Sequence, residues 1–120
     1  MTSPRDPGRE YVGGGAFTAV VVLSLVMLFA PSSGVPSGFQ FSDKIVHFLL
    51  FASLAVTGRF AALPPRGLAA GLVAYAALSE VLQAVLPIGR HGDVRDVLAD
   101  VLGVGTGLLV THLLTRRRTE

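Results

Sequence analysis

The sequence predicts an all-α integral membrane protein, a bundle of four transmembrane helices with both termini cytoplasmic. Three observations lead there. Apolar residues make up 51% of the 120 residues and charged ones only 15%, well below the roughly one quarter usual in soluble domains. The apolar residues fall into blocks of about the length that crosses a bilayer. The basic residues are also distributed unevenly among the segments that join those blocks.

Residues 1–15 are polar and contain Pro4, Pro7 and the run Gly13-Gly14-Gly15, which reads as a disordered cytoplasmic tail. Ala16 to Ala30 is uninterrupted apolar sequence, extended to spanning length by Tyr11 and Val12. A signal peptide is the rival reading, because Arg5 and Arg9 precede an h-region-like run. Pro31, directly after the would-be cleavage point, argues against cutting, so the first span is placed at 12–31. A Pro/Ser/Gly loop follows to Phe41. Ser42 or Asp43 then offers an N-cap for a second span at 43–63. Pro64-Pro65 stops it, a third span covers 67–86, and Pro87 ends that one. Ile88 to Gly92 forms a tight turn, the fourth span covers 95–114, and residues 116–120 are a basic cytoplasmic tail.

Four spans put both termini on one side. The tail, second loop and C-terminus hold seven of the ten basic residues (Arg5, Arg9, Arg59, Arg66, Arg116, Arg117, Arg118), against Lys44, Arg90 and Arg95 in the other loops. By the positive-inside tendency the first set is cytoplasmic. Arg116 to Arg118 is thus a membrane anchor; no aromatic residues interleave with it, so nucleic acid is not an expected partner. No cysteine is present, which excludes disulfides and thiolate chemistry.

The polar residues then fall in one layer. His47 lies ~6 Å inward of Asp43, Glu80 ~9 Å and Gln83 ~5 Å inward of Leu86, and Asp100 ~6 Å inward of Asp96. Asp43 and His47 are i, i+4, Glu80 and Gln83 are i, i+3, and Asp96 and Asp100 are i, i+4, so each pair shares a helix face. Below Asp100 the stripe continues as Gly103 and Gly107, small residues that let a neighbouring helix approach closely. The expectation is a compact bundle around an outward-facing polar pocket. Charge inside a membrane is costly, so it has partners and often a task.

Several roles fit these residues. Asp43 can cap its helix and His47 can hydrogen-bond near the interface, or the two can join Glu80 and Asp96 around a divalent ion; one histidine is thin support for a metal, and no metal or cofactor is assigned. Glu80 can pair with Arg90 or Arg95 while Gln83 bridges helices, or Glu80 can act as a general acid or base with His47 and Asp96 as the other catalytic candidates. Arg90, Asp93, Arg95 and Asp96 form ion pairs by default, though arginine at a membrane edge also grips phosphate or carboxylate. No nucleophile motif is visible. The ligand-binding set is therefore Asp43, Lys44, His47, Glu80, Gln83, Arg90, Asp93, Asp96 and Asp100, with Gly103 and Gly107 for packing.

The fragments S-D-K-I-V-H-F-L-L-F (Ser42 to Phe51), S-E-V-L-Q (Ser79 to Gln83) and R-H-G-D-V-R-D-V-L-A-D-V-L-G (Arg90 to Gly103) resemble the VanZ-like membrane proteins. That family's pattern is D-K-x-x-H-F, then E-x-x-Q, then R-x-x-D-x-x-D-x-x-x-N-x-x-G, and the likeness covers about residues 41–115. It implies that Asp43, Lys44, His47, Glu80, Gln83, Arg90, Asp93, Asp96 and Gly103 occupy the motif positions. Asp100 departs from the pattern, which has asparagine there. The founding member is associated with low-level teicoplanin resistance. The resemblance implies a multi-pass cell-membrane protein of the envelope, acting on glycopeptide susceptibility by binding a lipid-linked cell-wall precursor or a phospholipid headgroup. An intramembrane enzyme on such a substrate and a small transporter are the alternatives. The inner halves of the spans hold almost no ionisable residue, which counts against transport. An oligomer is compatible with the sequence.

Overall fold

The computed structural model describes residues 6–29, 40–87 and 93–119. They form four helices, α1 (Pro7–Phe29), α2 (Gln40–Phe60), α3 (Pro65–Val85) and α4 (Val94–Thr119), with no strand among them. Residues 31–39 of the expected loop at 31–41, and the expected turn at 88–92 with Arg90, lie outside the described residues.

Helix α1 begins well before the expected span, so residues 7–15 are helix and not tail. The local chemistry explains it. Asp6 accepts the Gly8 N–H at 3.0 Å through Oδ1 and the Glu10 N–H at 3.1 Å through its carbonyl, and Pro7 occupies the first helical position, where no N–H is needed. Gly13 then fits against the end of α2, since a Cβ there would collide with the Phe60 carbonyl and come within 2.7 Å of the Ala61 nitrogen. Helix α4 likewise runs on to Thr119, making residues 116–119 part of the helix and not a tail. Helix α2 starts at Gln40, which places Ser42 and Asp43 inside its first turn and not at its cap.

The end of α2 is a Schellman turn. Leu63 N–H donates to the Gly58 carbonyl and Ala62 N–H to the Arg59 carbonyl, both at 3.0 Å, the hydrogen-bond pair that defines the motif. Ala62 holds the left-handed position with φ 65°. Arg59 Nη1 adds a bond to the Leu63 carbonyl at 2.5 Å. Pro64 is extended, and Pro65 starts α3.

Helix α2 is the centre of the bundle and packs against the other three. Its buried stripe of His47, Leu50, Phe51, Leu54 and Ala55 meets Leu68, Leu72 and Ala76 of α3, Val104 of α4 and Leu28 of α1 in one core. The spacing is that of one helical face. Phe51 and Tyr75 pack with ring centroids 5.5 Å apart. Tyr75 also reaches Ser24 of α1, Oη to Oγ at 2.8 Å, and because Ser24 Oγ donates to the Val21 carbonyl at 2.7 Å, Tyr75 is the donor.

Among the described residues, three helices are long and apolar enough to cross a membrane: α1, α3, and α4 over Val94–Arg117. Helix α2 has 21 residues, Gln40–Phe60, and carries Lys44, His47 and Arg59 among them. Large apolar side chains such as Val22, Val26, Leu78, Val81, Leu98 and Leu102 face outward. An exposed apolar surface of that extent belongs in lipid.

Candidate functional site

At one end of the bundle α2 begins, α3 ends and α4 begins, and the polar side chains gather there. Helix α4 is brought close to α2 by its glycines. A Cβ on Gly103 would collide with the Phe48 carbonyl, and one on Gly107 would lie 2.6 Å from the Ala52 carbonyl oxygen and 2.7 Å from the Ala55 Cβ. This close crossing sets Asp96 and Asp100, one turn apart on the same face, against the start of α2.

The innermost contact is between His47 and Asp100. Nδ1 lies 2.8 Å from Asp100 Oδ1, with the two side chains 1% and 0% exposed. An ionised carboxylate can only accept, so the proton of this bond sits on Nδ1. On the other side of the ring, Nε2 is 3.8 Å from Asp96 Oδ2. The imidazole is thus held between two carboxylates of α4, a turn of helix apart.

Lys44, one turn above His47, ties the mouth together. Its Nζ reaches Asp93 Oδ2 at 3.2 Å and Asp96 Oδ1 at 3.3 Å. Asp93 precedes α4 and caps it, with Oδ1 accepting the Arg95 N–H at 2.9 Å. This cap, followed by the Lys44 ammonium, holds the Asp93 carboxyl below the usual carboxylate range.

Glu80 comes in from α3. Its Oε2 accepts the Asp93 N–H at 2.8 Å, while Oε1 is buried with no hydrogen-bond partner. Arg95 is not among its partners in the described residues; the expected alternative, Arg90, lies outside them. Gln83 Nε2 donates to the Leu28 carbonyl at 2.6 Å, which fastens α3 to the last turn of α1, and its Oε1 too is buried without a partner.

The sequence-derived set is therefore largely assembled in one place: Lys44, His47, Glu80, Asp93, Asp96 and Asp100 are linked, and Gln83 lies one turn along from Glu80. Asp43 is in the first turn of α2, and Arg90 lies outside the described residues. Gly103 and Gly107 face α2. One His47 nitrogen and one carboxylate oxygen each from Glu80 and Asp100 lie within 4.8 Å of one another, all from buried residues. Of the residues the sequence offers as possible metal donors (Asp43, His47, Glu80 and Asp96), His47 and Glu80 stand in this group together with Asp100, and the Asp43 side chain lies outside the described residues. It also overlooked Asp93 as the cap of α4, although an aspartate just before a helical run signals one. A cavity of about 420 Å³ lies elsewhere, between α1 and α3, and its lining, Phe17, Val21 and Leu72 included, is apolar.

The family model described as VanZ/LLP1 matches residues 14–115. The chain belongs to the VanZ/LLP1 family. The match takes in most of α1 as well as the three helices that carry the polar cluster, so the whole bundle is the VanZ/LLP1 unit. No curated protein and no solved structure matches the chain.

Proposed function

We propose that this VanZ/LLP1 protein spans the cell membrane four times with both termini cytoplasmic, and that its polar cluster is an acid–base centre acting on the headgroup of a lipid or lipid-linked substrate at the outer surface. Helix α2 has 21 residues, ~31 Å of helix, enough for a ~30 Å hydrocarbon core when its polar face is turned into the bundle. The uneven arginine count supports the orientation.

The observation that carries the chemical reading is the buried His47–Asp100 hydrogen bond. A carboxylate on Nδ1 fixes the tautomer and orientation of an imidazole and leaves Nε2 to exchange protons. Such a pair is an expensive way to join two helices in lipid, where apolar packing would serve. Lipid-linked cell-wall precursors present phosphates and carboxylates at this depth, next to Lys44.

A second reading, a non-catalytic headgroup binder that alters glycopeptide susceptibility, draws support from Lys44, whose side chain is 36% exposed at the mouth of the cluster. One experiment separates the two. A bacterial host making wild type, His47→Gln or Lys44→Ala at equal abundance is compared for teicoplanin and vancomycin susceptibility, and its extracted lipids are measured by mass spectrometry. Acid–base catalysis predicts a change in lipid composition that His47→Gln reduces by roughly 10²–10⁴ in rate. Binding alone predicts unchanged lipids and a drug effect lost with Lys44→Ala.

A further inference from the structure

We propose that His47, Glu80 and Asp100 form a divalent-cation site that takes a first-row transition ion of the zinc or manganese class. The inference rests on the reading of the polar cluster as a functional centre; with the ion bound, His47 serves as a ligand and not as the proton carrier.

The geometry comes first. Three helices each supply one donor, and the donor atoms already lie within 4.8 Å of one another. Around an ion with bonds of ~2.0–2.2 Å, donors stand ~3.3–3.6 Å apart in a tetrahedral arrangement.

The second observation points to a missing ligand. Glu80 is only 7% exposed, and its Oε1 is buried with no partner while Oε2 is fixed by the Asp93 N–H at 2.8 Å. The fixed oxygen orients the carboxylate and keeps it from swinging out to water. A carboxyl oxygen left without a hydrogen-bond partner at that depth carries an uncompensated desolvation cost.

The donor types narrow the ion. One imidazole nitrogen with two carboxylate oxygens suits zinc, manganese or iron(II) better than magnesium or calcium, which favour all-oxygen shells. Asp96 stays outside the set because Lys44 already holds it at 3.3 Å. Three protein ligands leave at least one position open, the arrangement of catalytic sites. Bound there, the ion supplies Lewis acidity towards a phosphoryl or carbonyl oxygen.

The test uses the full chain in detergent, stripped with a chelator and then titrated with zinc, manganese, magnesium and calcium salts. Metal content after gel filtration and the thermal unfolding temperature are both read. The expected result is one zinc or manganese ion per chain, a saturable upward shift in unfolding temperature, and a dissociation constant at least tenfold weaker in Glu80→Gln. Should that variant fail to fold, Asp100→Asn replaces it, and the wild-type titration decides alone if neither folds. His112→Ala, at an exposed position on α4, is the control and keeps the ion. A wild type that takes up no ion, or an ion retained by Glu80→Gln, overturns the proposal and leaves a shared proton in its place. Lipid turnover by the metal-free wild type would overturn it too while the acid–base reading stood; tight metal binding without any effect on lipids would do the reverse.

Discussion

Gly103→Ala tests whether the close crossing of α2 and α4 holds the polar cluster together. The added Cβ would strike the Phe48 carbonyl and lie 3.0 Å from the Ala52 nitrogen, so the helices must separate by roughly 1 Å to restore ordinary contact distances of about 3.5–4.0 Å. Overpacking of this kind costs about 1–3 kcal/mol. Asp100 is three residues away, ~4.5 Å along the axis, so the separation is felt at His47, where a bond of 2.8 Å stretches beyond useful hydrogen-bond length. Leaving that buried pair unmade adds about 1–3 kcal/mol. Gly105→Ala is the matched control two residues on, with nothing within 4 Å of its added Cβ; there alanine lowers chain entropy in the unfolded state and stabilises by about 0.5–1 kcal/mol. Unfolding of both variants in bicelles, by heat or by added denaturing detergent, should therefore move in opposite directions. Equal stability of the two, or a Gly103→Ala protein as stable as wild type, would refute the argument that this glycine sets the helix separation.

Two smaller predictions use the same unfolding assay. Ala62→Gly should stabilise by about 1 kcal/mol, because Ala62 carries the left-handed turn after α2 at φ 65° and a Cβ there costs roughly 1–2 kcal/mol; no gain would mean that the turn relaxes at little cost. Tyr75→Phe removes the donor to Ser24 at 2.8 Å and should cost about 0.6–1.7 kcal/mol, the range for interhelical bonds in membranes, with Ser24→Ala/Tyr75→Phe costing little more than the single change.

Much of the bundle is legible in the sequence because proline marks its corners. Pro64-Pro65 and Pro87 bracket α3, and α3 runs Pro65–Val85 against an expected 67–86. The ends were harder. Residues 7–15 look like a tail by composition, yet Asp6 and Pro7 are a capping pair and Gly13 is a packing residue whose partner, Phe60, is 47 positions away. A run of glycines reads as disorder until the surface that needs the missing Cβ is known. Helix α2 poses the opposite problem. Its polar face reads as a break in a membrane span, yet His47 on that face is buried at 1% exposure among the other helices.

The polar cluster shows where sequence reasoning stops. Helical rise places His47 ~6 Å inward of Asp43 and Asp100 ~6 Å inward of Asp96, so their similar depth is legible in the sequence; their rotation about the two helix axes is not. That rotation follows from Gly103 and Gly107, which can face only a helix that comes very near, and the helix that does so is α2. Side-chain length then matches helix separation. Where α4 lies close to α2, aspartate with its single methylene suffices to reach His47 at 2.8 Å. Glu80 works from α3, and its longer arm spans to the Asp93 N–H at 2.8 Å while leaving one oxygen within reach of the same centre. A glutamate at position 100 would overfill the space the glycines create, and an aspartate at position 80 would fall short of the Asp93 N–H.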